Sequence, residues 1–243
     1  LEMRRSLSLV SSIVFMASVV ISGGAVASGQ YPKGDGDVQN GQKIFENGKG
    51  DVPACNSCHG ADGSGDDNLG TPRLSGQFFS FLLKQLEDFA ADKRQDTTMF
   101  ANAKGLTPQD RRDVSTYLAA KKTEFKGSDM AELKEQGVEV GQTHFGKSLV
   151  EFGSPEVSAC KSCHGYAGRG APPVYPMIGR QRYSYLVNQL KKWKDGSRAN
   201  DPKGQMQAIA RKLSDEDIKN AAAYLTQASP YSLGNFYTPY GDR

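Results

Sequence analysis

With 243 residues, 23% of them charged, and a mean hydropathy of −0.55, the chain is neither a polytopic membrane protein nor a disordered one. Its length fits one large domain or two small ones. A formal charge of +3 is far from the basic footprint of a nucleic-acid binder.

At the N-terminus, Arg4 and Arg5 precede an apolar run from Leu7 to Ile21, and Ala25-Val26-Ala27 offers a small-x-small cleavage site. The pattern reads as a secretory signal over residues 1–27, cleaved on export. A retained anchor is the alternative, but the run falls short of the roughly 20 apolar residues that a spanning helix needs. Beyond the signal, residues 28–130 carry 13 basic and 15 acidic side chains, whereas residues 131–243 carry 15 and 11. The halves differ in sign, so any docking field is local.

Gly41 and Phe45, four apart, put a small residue and an aromatic on one face of a first helix, which suits a close helix crossing. Cys55-Asn56-Ser57-Cys58-His59 and then Pro72-Arg73-Leu74 follow. Leu82, Leu86 and Phe89 take the i, i+4, i+7 spacing of an apolar helix face. After Arg94 and Met99, the residues Thr107, Pro108 and Asp110 suit the N-cap, first-turn proline and acidic N3 of a last helix. Residues 127–137 are polar, bounded by glycines, and read as a linker.

The second half then restates the first in the same order. Gly141 to Phe145 matches Gly41 to Phe45, Cys160 to Gly165 matches Cys55 to Gly60, and Pro176-Met177-Ile178 matches Pro72-Arg73-Leu74. QRYSYLVNQL (181–190) matches QFFSFLLKQL (77–86), Leu186, Leu190 and Trp193 repeat the apolar face, and Ser214 with Asp217 repeats the cap. Two helical domains are expected, 28–126 and 138–229, followed by an aromatic tail, 230–243, expected to cover a domain surface.

Two thiols spaced to meet two vinyl groups, followed at once by an imidazole, are what covalent haem c attachment needs. Cys55, Cys58 and His59 comply, as do Cys160, Cys163 and His164, so two haem c groups are expected. A C-x-x-C disulfide or a zinc site is the alternative, but a zinc ribbon wants roughly 15 to 20 residues between its cysteine pairs, and 101 separate Cys58 from Cys160. The second axial ligand should recur in both halves. His144 falls opposite Ile44 and reads as a core or surface residue; Met130 and Met177 have no methionine counterpart. Met99 and Met206 recur, each after an arginine (Arg94, Arg198) and before the capped last helix, and are the expected distal ligands. His–Met ligation fills both axial positions and favours electron transfer over bond chemistry. A carbonyl at Pro72 or Pro176 would accept the proximal imidazole N–H and fix the ring.

Together with Pro-x-Leu-x-Gly-Gln at Pro72–Gln77, Tyr/Phe-Leu-x-x-Gln-Leu, and Leu-x-x-x-Asp followed seven residues on by Tyr-Leu, these motifs make the stretch from Val38 to Gln227 resemble a di-haem class I cytochrome c of the cytochrome c4 type. The resemblance implies an all-α fold of two tandem class I cytochrome c domains about a pseudo-twofold axis, with haem propionate edges facing across the interface. It also implies electron delivery to a terminal oxidase. One departure is Ile178-Gly179-Arg180-Gln181, where the family has Leu-Ala-Gly-Gln.

The expected function is a carrier in a Gram-negative periplasm, soluble or peripherally held at the inner membrane. It would run between a quinol-oxidising complex or periplasmic dehydrogenase and a haem-copper terminal oxidase. The second reading is a dedicated di-haem subunit of a periplasmic dehydrogenase, as in flavocytochrome c sulfide dehydrogenase. A haem enzyme would need an open iron or a further His or Cys ligand, and the chain has no spare cysteine.

Overall fold

A computed structural model describes residues 34–121, 124 and 126–230; the expected signal and nearly all of the aromatic tail lie outside them. Among the described residues the chain is helical, with isolated bridges and no β-strand. The first half forms α1 (Val38–Asn47), α2 (Asn56–His59), α3 (Phe79–Ala90), α4 (Thr97–Gly105) and α5 (Pro108–Ala120). The second forms α6 (Met130–Glu135), α7 (Thr143–Phe152), α8 (Lys161–His164), α9 (Tyr183–Asp195), α10 (Gln205–Ala210) and α11 (Asp215–Gln227). No described helix is long and apolar enough to cross a membrane.

The capping signals act where they were expected. Thr107 and Asp110 form a reciprocal capping box on α5, with Pro108 in the first turn, and Ser214 and Asp217 form another on α11. Each box satisfies two orphan backbone donors and contributes about 1 kcal/mol. These last helices are the spine of each unit, because the first helix crosses them closely: α1 on α5 and α7 on α11.

Here the repeat differs from its sequence reading. A Cβ on Gly41 would lie 2.2 Å from the Asp113 carbonyl oxygen, and a Cβ on Gly146 would lie 1.8 Å from that of Asn220. The equivalent glycines are therefore Gly41 and Gly146, five residues from the Gly41–Gly141 pairing. Phe45 is fully buried, whereas Phe145 is 54% exposed; Val150 takes the place of Phe45. Local identity misled because Gly-Gln-x-x-Phe occurs once inside a helix and once across a helix start. With the pairing moved, the offset from Gly41 to Cys58 becomes constant, and the surface residue His144 pairs with Gln39 rather than Ile44.

Two separate apolar cores follow. Ile44, Phe45, Leu82, Val114 and Leu118 anchor one; Leu149, Val150, Leu186, Ile218 and Leu225 anchor the other. The 127–137 stretch, read as a polar linker, belongs structurally to the second unit. Leu133 on α6 is 3% exposed within that core, and Ser128 accepts from the Tyr183 N–H and donates its own N–H to Thr226 Oγ1. One buried leucine on a short capped helix outweighs the polar composition around it.

The units meet through a reciprocal pair of glutamines. Gln181 Oε1 accepts from the Arg73 N–H (2.7 Å) and Gln181 Nε2 donates to the Arg73 carbonyl (3.0 Å). Gln77 Oε1 accepts from the Met177 N–H (3.0 Å) and Gln77 Nε2 donates to the Met177 carbonyl (2.8 Å). The amide orientations follow from the donors: each oxygen faces two backbone N–H groups, the second being Phe78 or Arg182. The departure at Arg180 also has an answer. Arg180 takes φ 57°, close to the φ 69° of Gly76, and each donates its N–H to the last helix of its unit. The left-handed conformation is retained in the arginine at a cost of about 1 kcal/mol.

Candidate haem sites and the domain interface

Each C-x-x-C-H motif folds as a single helical turn, so its cysteines and histidine stand at i, i+3 and i+4 on one side. Gly60 (φ 80°) and Gly165 (φ 70°) then turn the chain away in a conformation that a Cβ would resist. His59 and His164 are buried, while Cys58 and Cys163 are exposed. Burial pushes the Cys55 and Cys160 thiols up to about 11, and none of the four sulfurs forms a disulfide. Among the described residues no group of three or more His, Cys, Asp or Glu side chains is arranged to hold a metal ion by itself.

His59 Nδ1 lies 3.1 Å from the Pro72 oxygen, and His164 Nδ1 lies 2.9 Å from the Pro176 oxygen. A carbonyl only accepts, so Nδ1 carries the proton and the free lone pair is on Nε2. Burial, opposed by this same bond, holds both imidazoles below their usual range and neutral. A neutral, oriented imidazole offering Nε2 fits a haem iron.

Met99 is the third residue of α4 and Met206 the second of α10. Their N–H groups donate to Asp96 Oδ1 (3.0 Å) and Asp201 Oδ2 (2.7 Å). Both are half-buried.

Sequence reasoning missed the polar cluster between the long helices. Arg94 and Arg198 are buried at the interface and donate to neutral acceptors, Gln85, Gln189, Tyr185 and Asn200. Burial first, and then the like charge of Arg94, brings the Arg198 guanidinium down to about 9. Burial works to raise the Tyr185 phenol, but the two arginines outweigh it and hold the phenol below its usual value. Two buried cations whose direct acceptors are neutral would suit the carboxylates of two haems. The available signal was the recurrence of Gln85 as Gln189 and Arg94 as Arg198 at a single offset.

The family model for cytochrome c matches residues 38–122 and again 138–229. Cytochrome c4 of Pseudomonas aeruginosa is 33% identical over 180 residues, covering 73% of this chain and 85% of the relative. The structure of reduced recombinant cytochrome c4 from Pseudomonas stutzeri matches with a TM-score of 0.67 at 29% identity, over 80% of this chain and 100% of that one. The chain belongs to the di-haem cytochrome c4 family. A thiosulfate dehydrogenase electron acceptor of Stutzerimonas stutzeri is 33% identical over 199 residues, 80% of this chain and 89% of the relative. Thiosulfate dehydrogenase from Marichromatium purpuratum matches with a TM-score of 0.71 at 34% identity over 78% of this cytochrome, which spans 40% of that longer chain. As a cytochrome c4-type protein it carries two covalent haem c groups, at Cys55/Cys58 and Cys160/Cys163, and works in electron transport.

Proposed function

We propose that this cytochrome takes electrons from a periplasmic dehydrogenase or quinol-oxidising complex and passes them to a haem-copper terminal oxidase, with each iron six-coordinate through His59 and Met99 or His164 and Met206. The observation that carries this reading is the duplicated site: in both units a neutral, carbonyl-bound imidazole and a helix-start methionine recur in equivalent places. Each haem iron supplies a one-electron ferric/ferrous couple. The protein's residues hold that couple. The Pro72 and Pro176 carbonyls orient the imidazoles, thioether ligands would favour the ferrous state, and Arg94 and Arg198 would offset the charge of haem propionates.

A donor of the dehydrogenase class is favoured by relatives named as electron acceptors of thiosulfate dehydrogenase. The same names favour the second reading, a dedicated subunit that remains with its dehydrogenase. Stopped-flow reduction of the oxidised protein by thiosulfate dehydrogenase with thiosulfate, followed by oxidation in oxidase-containing membranes, tests both transfers. Reduction without reoxidation would leave the subunit reading, and co-purification with the dehydrogenase would support it. A redox titration tests the ligands. Two haems and a methionine-to-iron charge-transfer band are expected, with half of that band lost in Met99→Ala and half in Met206→Ala; a wild-type protein lacking it would overturn the assignment.

A further inference from the structure

The peptide group joining Pro72 to Arg73 is used at both ends. Its carbonyl oxygen accepts from His59 Nδ1 at 3.1 Å, and its N–H donates at 2.7 Å to Gln181 Oε1 of the other domain. The peptide joining Pro176 to Met177 repeats the arrangement, with His164 at 2.9 Å on its oxygen and Gln77 Oε1, again of the other domain, at 3.0 Å on its N–H. Gln77 and Gln181 are 3% and 5% exposed, so water does not compete for either amide.

From this geometry we propose that Gln181 and Gln77 are crossed positioning residues, each setting the donor strength of the axial histidine in the opposite domain. The proposal rests on the proximal role of His59 and His164. Hydrogen bonds in series polarise one another: a peptide whose N–H is accepted by a buried amide oxygen carries more negative charge on its carbonyl oxygen. That oxygen draws the imidazole Nδ1 proton more strongly and makes the ring a better donor at Nε2. A stronger donor favours ferric iron and lowers the potential. Each haem is thereby tuned by a side chain that moves with its neighbour, and separating the domains would weaken both histidine–carbonyl bonds together.

The test is a spectroelectrochemical titration of the intact di-haem protein, with the haems told apart by the NMR signals of their ring methyls in partly reduced samples. Gln181→Met keeps an unbranched chain of similar length and removes the acceptor. It should shift the His59 haem upward and move the His164 haem less; Gln77→Met should do the reverse. Gln181→Glu keeps an oxygen facing the Arg73 N–H, so the His59 haem should lie at or below its wild-type potential. This last variant also separates the relay from loosened packing, which would act on the residue's own domain or on both. Shifts confined to the mutated domain, equal shifts in both haems, no shift, or an upward shift in Gln181→Glu would overturn the proposal. The methionine band reports the distal ligands independently, so its loss would count against that assignment and leave the relay to the potentials.

Discussion

Arg94 and Arg198, one from each domain, donate to the same two glutamine oxygens. Arg94 reaches Gln85 Oε1 at 2.8 Å and Gln189 Oε1 at 2.9 Å, and Arg198 reaches Gln189 Oε1 at 2.7 Å and Gln85 Oε1 at 3.1 Å. Two guanidiniums sharing neutral acceptors repel one another in a poorly solvated space, and haem carboxylates would relieve that repulsion. Arg198→Met is therefore expected to lower the potentials of both haems, because a buried cation that disfavours ferric iron is removed. It should also destabilise the holoprotein by about 3 kcal/mol, the scale of leaving buried charges without their partner. Redox titration and denaturant unfolding read the two effects; unchanged potentials would place the propionates elsewhere.

The shifted repeat makes a second prediction. Phe45→Ala empties a fully buried site and should cost about 3–5 kcal/mol, whereas Phe145→Ala, at the position that local identity pairs with it, should cost about 0.5 kcal/mol or less. Gly146→Ala must push its new methyl into the Asn220 carbonyl and should cost about 1–3 kcal/mol or more. Thermal unfolding of the three variants checks the pairing, and a large loss in Phe145→Ala would restore the original one.

These particulars show where the sequence was informative. The C-x-x-C-H motifs, the capped last helices and the apolar face of the long helix were legible because each is a local pattern with a local cause. The crossing glycine was not, since the pentapeptide 141–145 that resembles 41–45 ends immediately before Gly146, and only the fold shows that Gly146, against the Asn220 carbonyl, takes the place of Gly41. Leu133 was hidden for a different reason: one apolar residue in a polar stretch has no periodicity, and its burial depends on the second core being nearby. Arg180 breaks a glycine pattern while keeping the backbone that the pattern encodes. The interface arginines and glutamines were visible as repeats, but their convergence required the pseudo-twofold arrangement.

Stability in acid should depend on Asp110. Burial works to raise its carboxyl, but hydrogen bonds from Lys49 and Thr107 outweigh burial and hold it at about 2. A carboxyl held below its unfolded value contributes stability that is present above the ordinary range near 3.8 and disappears as pH falls toward 2. Unfolding of the N-terminal domain should lose about 1–2 kcal/mol of stability across that window. Asp110→Asn should be less stable at neutral pH and flatter through the acid range; a variant with the wild-type slope would show that other carboxylates carry it.

Partner docking should favour the C-terminal domain. With the corrected pairing, Phe152 and Lys161 stand where the first domain has Asn47 and Asn56. Phe152 is 76% exposed, Lys161 Nζ lies 4.8 Å above its ring, and Cys163 opens to solvent in the same motif as Lys161. An exposed aromatic and a lysine beside a haem attachment point suit an acidic donor with an apolar centre, and the basic balance of this half gives it the right sign. Lys161→Gln is expected to slow reduction by such a donor severalfold at low salt, with the difference fading as screening sets in. Phe152→Ala should slow it at every ionic strength with little effect on stability, and Asn56→Gln, the matched change in the first domain, should leave the rate alone. Stopped-flow traces over a range of salt decide among them. Equal sensitivity at Asn56 and Lys161 would mean that electrons enter through either domain.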